Sequence, residues 1–387
     1  MTLHAVAPID PLPSEPALRS IEQRVLWLAV RMVDYVNRDL PSSDGMKIGG
    51  HQASSASLAS AMTVLWMCEL QRGDRVAVKP HASPVLHALE YLLGWLDERY
   101  LRSLRQFGGL QAYPSRTKDP VPVDYSTGSV GLGAAAPLFG ALAQRYVRDH
   151  LQPDEGGGRF FSILGDAELD EGNIWEAILD PATRGLGEAV WIVDFNRQSL
   201  DRVVPVLRSS GLEQAFESAG WRVVELKYGR RLRRVFTEEG GRVLRRVIDQ
   251  MPNQQYQQLF SAGEDEVTEA LERSAGASSR RLRKLLEGHR GQVRELIRDL
   301  GGHDLDDLRE ALASTRGSDR PTVIFAYTIK GHGLPIAGHP LNHSLLLTGD
   351  QIDDLRARVG LTEDTEWSRI DADSAAGGLV ADAAARL

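Results

Sequence analysis

Apolar positions along the chain follow two alternating patterns. The first repeats at helical spacing. Ile21, Val25, Leu28, Met32 and Tyr35 recur every three or four residues and predict a helix over 17–37. The same spacing predicts helices over 54–69, 85–100 and 131–150, the last opened by small residues. The second pattern is a short unbroken apolar run of strand length. Such runs stand at 159–164, 189–194, 221–226 and 322–327, with a shorter one at 75–79. Helical stretches over 171–180 and 203–219 separate them. Apolar strands alternating with helices predict an α/β fold, a parallel β-sheet flanked by helices on both faces.

The remaining segments frame this unit. Residues 1–16 are Pro-rich and read as an arm. Residues 41–50 form a loop and 80–84 a turn. Residues 106–129 show no period and read as one long loop, a length that points to function or disorder. Residues 262–318 are rich in Glu, Arg and Leu and predict a helical insertion. The Ala-, Asp- and Gly-rich stretch 366–387 reads as a terminal tail. One domain over 17–365 is the expectation.

Composition narrows the class. The 387 residues carry a net charge of −8, which argues against a general nucleic-acid binder. Cys68 is the single cysteine, so an intrachain disulfide and a Cys-based zinc site are excluded. No apolar run reaches the ~20 residues of a spanning helix, and no export signal stands at the start. A cytoplasmic protein with no membrane partner is expected.

The chemistry concentrates at two strand ends. The first reads Gly165-Asp166-Ala167-Glu168, directly before a helix. The second reads Asp194-Phe195-Asn196-Arg197-Gln198. Ligands of parallel sheets bind beyond the carboxyl ends of the strands. A carboxylate, an amide oxygen and a backbone carbonyl there suit Mg²⁺, which prefers hard oxygen ligands. Gly165 lets a phosphate approach the backbone.

Gly165-Asp166 followed thirty residues later by Asn196 resembles the thiamine diphosphate motif. The wider stretch GDAELDEGNIWEAI…VWIVDFNRQSLDRVVP resembles the homodimeric pyruvate dehydrogenase E1 family, a relative of transketolase. GGHQASSAS (49–57), KPHASP (79–84), STGSVGLGAA (126–135) and YTIKGHGLPIAGH (327–339) resemble its other blocks in the same order. The resemblance runs over roughly 47–360 and implies the thiamine diphosphate-binding fold of a PP-type domain, with helical additions.

The resemblance also implies roles. Asp166, Asn196 and the backbone carbonyl of Gln198 would hold Mg²⁺. Gly165, Ala167 and Glu168 would line the diphosphate, and the turn Ser129, Gly131, Leu132, Gly133 would lie beside the cofactor. His51 and His81 would face the reacting centre. His343 would join them from a loop. His332 and His339 are weaker candidates, and His87 reads as packing. Ala167 departs from the usual motif, which carries a second glycine there.

Relatives of this kind also carry a pyrimidine-binding domain and a C-terminal domain. No second series of strands and helices follows residue 360. The expectation is therefore an α-like subunit of a split enzyme, needing a partner subunit with those two domains in an α2β2 heterotetramer. Its donor would be pyruvate or another 2-oxo acid, and its acceptor a lipoyl domain or a carbonyl carbon. The alternatives are a split transketolase subunit, transferring a ketol group between sugars, and a non-catalytic scaffold.

Overall fold

The computed structural model describes residues 15–41, 47–151, 157–199, 202–203 and 209–387. The expected arm at 1–16 and the centre of the loop at 41–50 lie largely outside them. The described residues contain seven strands: β1 (Arg75–Val78), β2 (Phe160–Gly165), β3 (Ala189–Phe195), β4 (Gln198–Ser199), β5 (Arg202–Val203), β6 (Arg222–Leu226) and β7 (Thr322–Tyr327). Five form one sheet in the order β1-β2-β3-β7-β6, and every pairing in it is parallel. β4 and β5 make a separate antiparallel ribbon.

The unbroken apolar runs have a simple cause. Successive strand residues point to opposite faces, and both faces are covered. Phe161, Ile163, Val190, Ile192 and Ile324 pack into one core with the helix Glu15–Arg38. Phe160, Leu164, Trp191, Val193 and Phe325 pack into a second core on the other face. Ile21, Val25, Leu28 and Met32 are fully buried, as the spacing over 17–37 predicts.

Register sets the site. Gly165 pairs with Asp194, Asp194 with Ala326, and Ala326 with Leu226. Four strands therefore end level, and the loops leaving them gather at one edge.

Several boundaries differ from the pattern. The stretch over 54–69 is broken into Gln52–Ala56, Ala59–Val64 and a π-helical turn Leu65–Glu69. The helix expected over 85–100 spans Ser83–Leu92, and Gly94 at φ 85° turns the chain before a 3₁₀ turn Glu98–Arg102. The helical insertion starts earlier than 262, with helices Arg230–Val235 and Gly241–Gln250. Val243, Leu244, Val247 and Ile248 bury the face of the second, a helical spacing masked by interspersed arginines.

The expected tail at 366–387 is instead part of the folded unit. Ala375–Arg386 is a helix, capped by Ser374 Oγ accepting from Gly377 N at 3.0 Å. Ala376, Val380 and Ala383 are buried, and Trp27 Nε1 donates to Glu366 O at 2.7 Å. Alanine-rich composition reads as low complexity, but alanine is also the strongest helix former.

Candidate functional site

Asp166 opens a short 3₁₀ turn at the end of β2. Its Oδ1 accepts from Ala167 N at 2.9 Å and its Oδ2 from Arg197 N at 2.6 Å. Arg197 adopts a left-handed φ of 62°, a sharp turn just beyond Asn196. Asn196 Oδ1 accepts from Gln198 N at 3.0 Å, and Asn196 Nδ2 donates to Asp194 Oδ2 at 3.1 Å. The fold thus brings Asp166, Asn196 and Gln198 into one hydrogen-bonded cluster, all three buried. Burial, then the neighbouring Asp194 charge, pushes the Asp166 carboxyl up to about 7.

A polar network lies beneath this cluster. Asp194 is fully buried and accepts from Lys79 Nζ at 2.5 Å, from Ser57 Oγ at 2.7 Å and from the Thr328 hydroxyl. Burial acts to raise the Asp194 carboxyl, but the Lys79 ammonium and the Thr328 and Ser57 hydrogen bonds together hold it below its usual range. Lys79, Ser57, Asp194 and Thr328 had no assigned role in the sequence reading. All four lie in the motifs singled out there, but pairing between residues 115 apart leaves no local signal.

Three of the candidate histidines converge. The ring centroids of His51 and His343 are 4.0 Å apart and stacked, and those of His51 and His81 are 4.1 Å apart. One His51 ring nitrogen lies 2.7 Å from the His343 carbonyl oxygen. His81 holds a left-handed φ of 70°. Burial first, then the positive charge of His51, His343, Lys79 and Arg105, lowers its imidazole to about 3. Tyr113, from the long loop, adds a ring 5.3 Å from His81 and was missed because that loop has no periodicity.

The histidine cluster and the carboxylate cluster share one frame. Lys79 sits two residues before His81. Asn342, next to His343, donates to Gln198 Oε1 at 3.2 Å and to Lys330 O at 2.9 Å. His339 stands apart, its Nδ1 accepting from Leu341 N at 3.1 Å. His332 stacks on His303 instead. His87 is buried between Glu90 and the Gln111 carbonyl.

Glu168 joins the two glycine-bearing loops. Its Oε1 accepts from Gly165 N at 3.0 Å and its Oε2 from Gly131 N at 3.4 Å. Gly131 has φ 84°, and a Cβ there would come within 2.2 Å of Asn173 Oδ1. Gly131 and Gly133 are buried where the helix Leu132–His150 begins, whereas Ser129 and Leu132 are exposed. The long loop is tied down by Asp119, which accepts from Gln111 N at 2.9 Å and Ser115 N at 2.7 Å.

Comparison with known proteins bears on the family and the fold. The family described as transketolase, thiamine diphosphate binding domain, matches residues 43–237. The pyruvate dehydrogenase E1 component of Escherichia coli K12 is 27% identical over 349 residues, covering 87% of this chain and 38% of that protein. That of Corynebacterium glutamicum is 27% identical over 372 residues, covering 90% and 39%. The chain thus spans well under half the length of these relatives. Among solved structures, a transketolase from Campylobacter jejuni superposes with a TM-score of 0.67 at 18% identity, covering 96% of this chain and 47% of that one. One from Leishmania mexicana gives 0.66 at 18% identity, covering 95% and 44%. Among the described residues no helix is long and apolar enough to cross a membrane. A parallel sheet with Asp166 and Asn196 at adjoining strand ends, matched by the family over half of its sequence, places the chain in the transketolase family of thiamine diphosphate-binding domains.

Proposed function

We propose that this chain is the diphosphate-binding, α-like subunit of a split thiamine diphosphate-dependent enzyme. It would decarboxylate pyruvate or a similar 2-oxo acid and pass the two-carbon unit to a lipoyl domain or a carbonyl carbon. The carrying observation is the convergence of Asp166, Asn196 and Gln198 with His51, His81 and His343 at one edge of the sheet. The E1 relatives by sequence favour the 2-oxo acid as donor.

The residues fit a divalent cation. Among the described residues each Asp166 carboxylate oxygen accepts one backbone hydrogen bond and keeps a further lone pair. Its acid form is favoured by burial beside Asp194, which the Lys79 charge offsets only in part, so a cation would supply further countercharge there. Mg²⁺ would be held by the Asp166 carboxylate, Asn196 Oδ1 and the Gln198 main-chain oxygen. The backbone around Gly165, Ala167 and Gly131 would cradle the diphosphate, with Glu168 fixing the two loops. Thiamine diphosphate, when bound, supplies the electron sink that 2-oxo acid decarboxylation needs. His81, held neutral, donates or accepts hydrogen bonds without adding charge, and His51 and His343 flank it for proton movement.

The partner subunit has a surface to meet. Leu132, Ala136, Phe139, Ala143 and Tyr146 are all exposed on one helix, spaced by four and three. Leu132, Phe139 and Tyr146 are 48%, 41% and 60% exposed, an apolar ridge of the kind that pairs with another helix. The helix starts just after Gly131, so the Leu132 end of the ridge adjoins the glycine turn.

Calorimetric titration of thiamine diphosphate with Mg²⁺ tests the reading. The chain is titrated alone and with a purified partner carrying the pyrimidine-binding domain, and CO₂ release from pyruvate is followed. Tight binding only in the mixture, with CO₂ release, is expected. Binding with ketol transfer between sugars, and no CO₂, would replace the reading by a transketolase. Binding without either reaction would leave a scaffold, and full activity from one polypeptide would overturn the split arrangement.

A further inference from the structure

A cavity of about 780 Å³ lies away from the proposed cofactor residues, between the first helix, the helical insertion and the segment after β7. Its walls include Arg19, Arg294, Arg298, Arg358, His303 and His332. We propose that this cavity binds a phosphate-bearing small anion, of the size of a nucleotide or sugar phosphate. The inference is independent of the decarboxylase reading.

The charges are arranged for it. With Arg231, five guanidinium groups face three carboxylates, Glu295, Asp299 and Asp354. Some of these groups are engaged already: Arg298 also donates to the Phe260 carbonyl, Arg358 to the Gly333 carbonyl and Arg231 to Gln292. Asp299 accepts from Leu232 N at 2.7 Å and Glu295 from Arg298 at 3.4 Å. Among the described residues, the Nε atoms of Arg294 and Arg298 are buried without a hydrogen-bond partner. Guanidinium groups match phosphate oxygens in charge and in fork geometry. The volume falls in the range of small-molecule sites.

The paired histidines mark the floor. His303 is locked, its Nε2 accepting from Ile329 N at 2.8 Å and its Nδ1 within 3.2 Å of Ser60 Oγ. His332 stacks on it at 3.6 Å with a tilt of 10°. The His332 ring nitrogens have no hydrogen-bond partner among the described residues. Burial, then Arg19, Arg298 and Arg358, lowers its imidazole to about 3, so the field acting on it is positive. An anion there would meet three guanidinium groups and a neutral ring N–H. The segment that places His332 in this cavity also places His343 at the cofactor site.

Calorimetry with inorganic pyrophosphate, on the full chain in a chelator, tests the proposal. The chelator removes the divalent ion that the cofactor site would need. Saturable binding is expected. Arg358→Gln and Arg298→Gln should each weaken it about tenfold, the cost of one charge-assisted hydrogen bond, while Asp166→Ala leaves it within about twofold. Arg294→Gln serves as a further variant, because that side chain makes no hydrogen bond among the described residues that folding would miss. No binding, binding unchanged in all three arginine variants, or binding lost in Asp166→Ala would each overturn the proposal.

Discussion

Lys79 Nζ lies 2.5 Å from Asp194 Oδ2, and both side chains are buried under the Asp166–Asn196 cluster. The pair joins the end of β1 to the end of β3 across β2. Removing the ammonium leaves a buried carboxylate with only neutral donors. Lys79→Met should therefore cost about 3–5 kcal/mol of stability in urea unfolding. Adding Asp194→Asn should recover part of that loss. No recovery in the double variant would mean that Lys79 acts through packing alone.

Asp166 carries a pH dependence of known sign. Its carboxyl is raised from 3.8 to about 7 in the folded protein. The folded state therefore holds this proton more tightly than the unfolded chain. The stability it contributes is full below about pH 4 and is lost as pH rises to about 7. Thermal melts of the metal-free protein should show this decline, and Asp166→Asn should flatten it. A divalent cation competes with the same proton, so Mg²⁺ affinity should rise by up to about tenfold per pH unit below 7. Affinity independent of pH between 5 and 8 would remove Asp166 from the ligand set.

His81 is lowered from 6.5 to about 3 and stays neutral across the physiological range. Its contribution to stability is lost as pH falls below about 6.5, because the unfolded chain then takes up the proton first. Its ring resonances in NMR should show no inflection between pH 5 and 8. A titration near 6.5 would show that the cluster does not exclude charge from this ring.

Gly131→Ala should be costly. The position has φ 84°, and a Cβ would sit 2.2 Å from Asn173 Oδ1. Strain and displacement together should remove about 1–3 kcal/mol. The Glu168 bridge to Gly131 N should loosen with it. The check is a lowered denaturation midpoint together with weaker thiamine diphosphate binding in the presence of partner.

The proposed split arrangement places the partner on the exposed ridge. Phe139→Asp combined with Tyr146→Asp should leave the melting temperature of the isolated chain nearly unchanged, because both side chains are exposed. Association with the partner, read by analytical ultracentrifugation, should be lost. Retained association would place the interface elsewhere.

Local pattern and global structure divided the information unevenly. Unbroken apolar runs announced the parallel sheet because strands buried on both faces have no polar side to show. Gly165-Asp166 and Asn196 were legible because strand ends and turns have local signatures. The helix Ala375–Arg386 was not, because its burial depends on Trp66 and Leu70, whose carbonyls Arg386 holds from more than 300 residues away. Tyr113 was hidden in a loop with no period.

The one-dimensional order of residues thus established the fold class and the residue types at the strand ends, since both follow from short-range periodicity and turn chemistry. Only the folded chain decided which of its histidines meet, that His51, His81 and His343 form a cluster while His303 and His332 face a separate arginine-lined cavity. It also decided that Lys79 pairs with Asp194, while burial and the Asp194 charge raise the Asp166 carboxyl. The physical reason is that burial and charge act through space, and sheet register, not sequence distance, sets which groups share a low-dielectric neighbourhood.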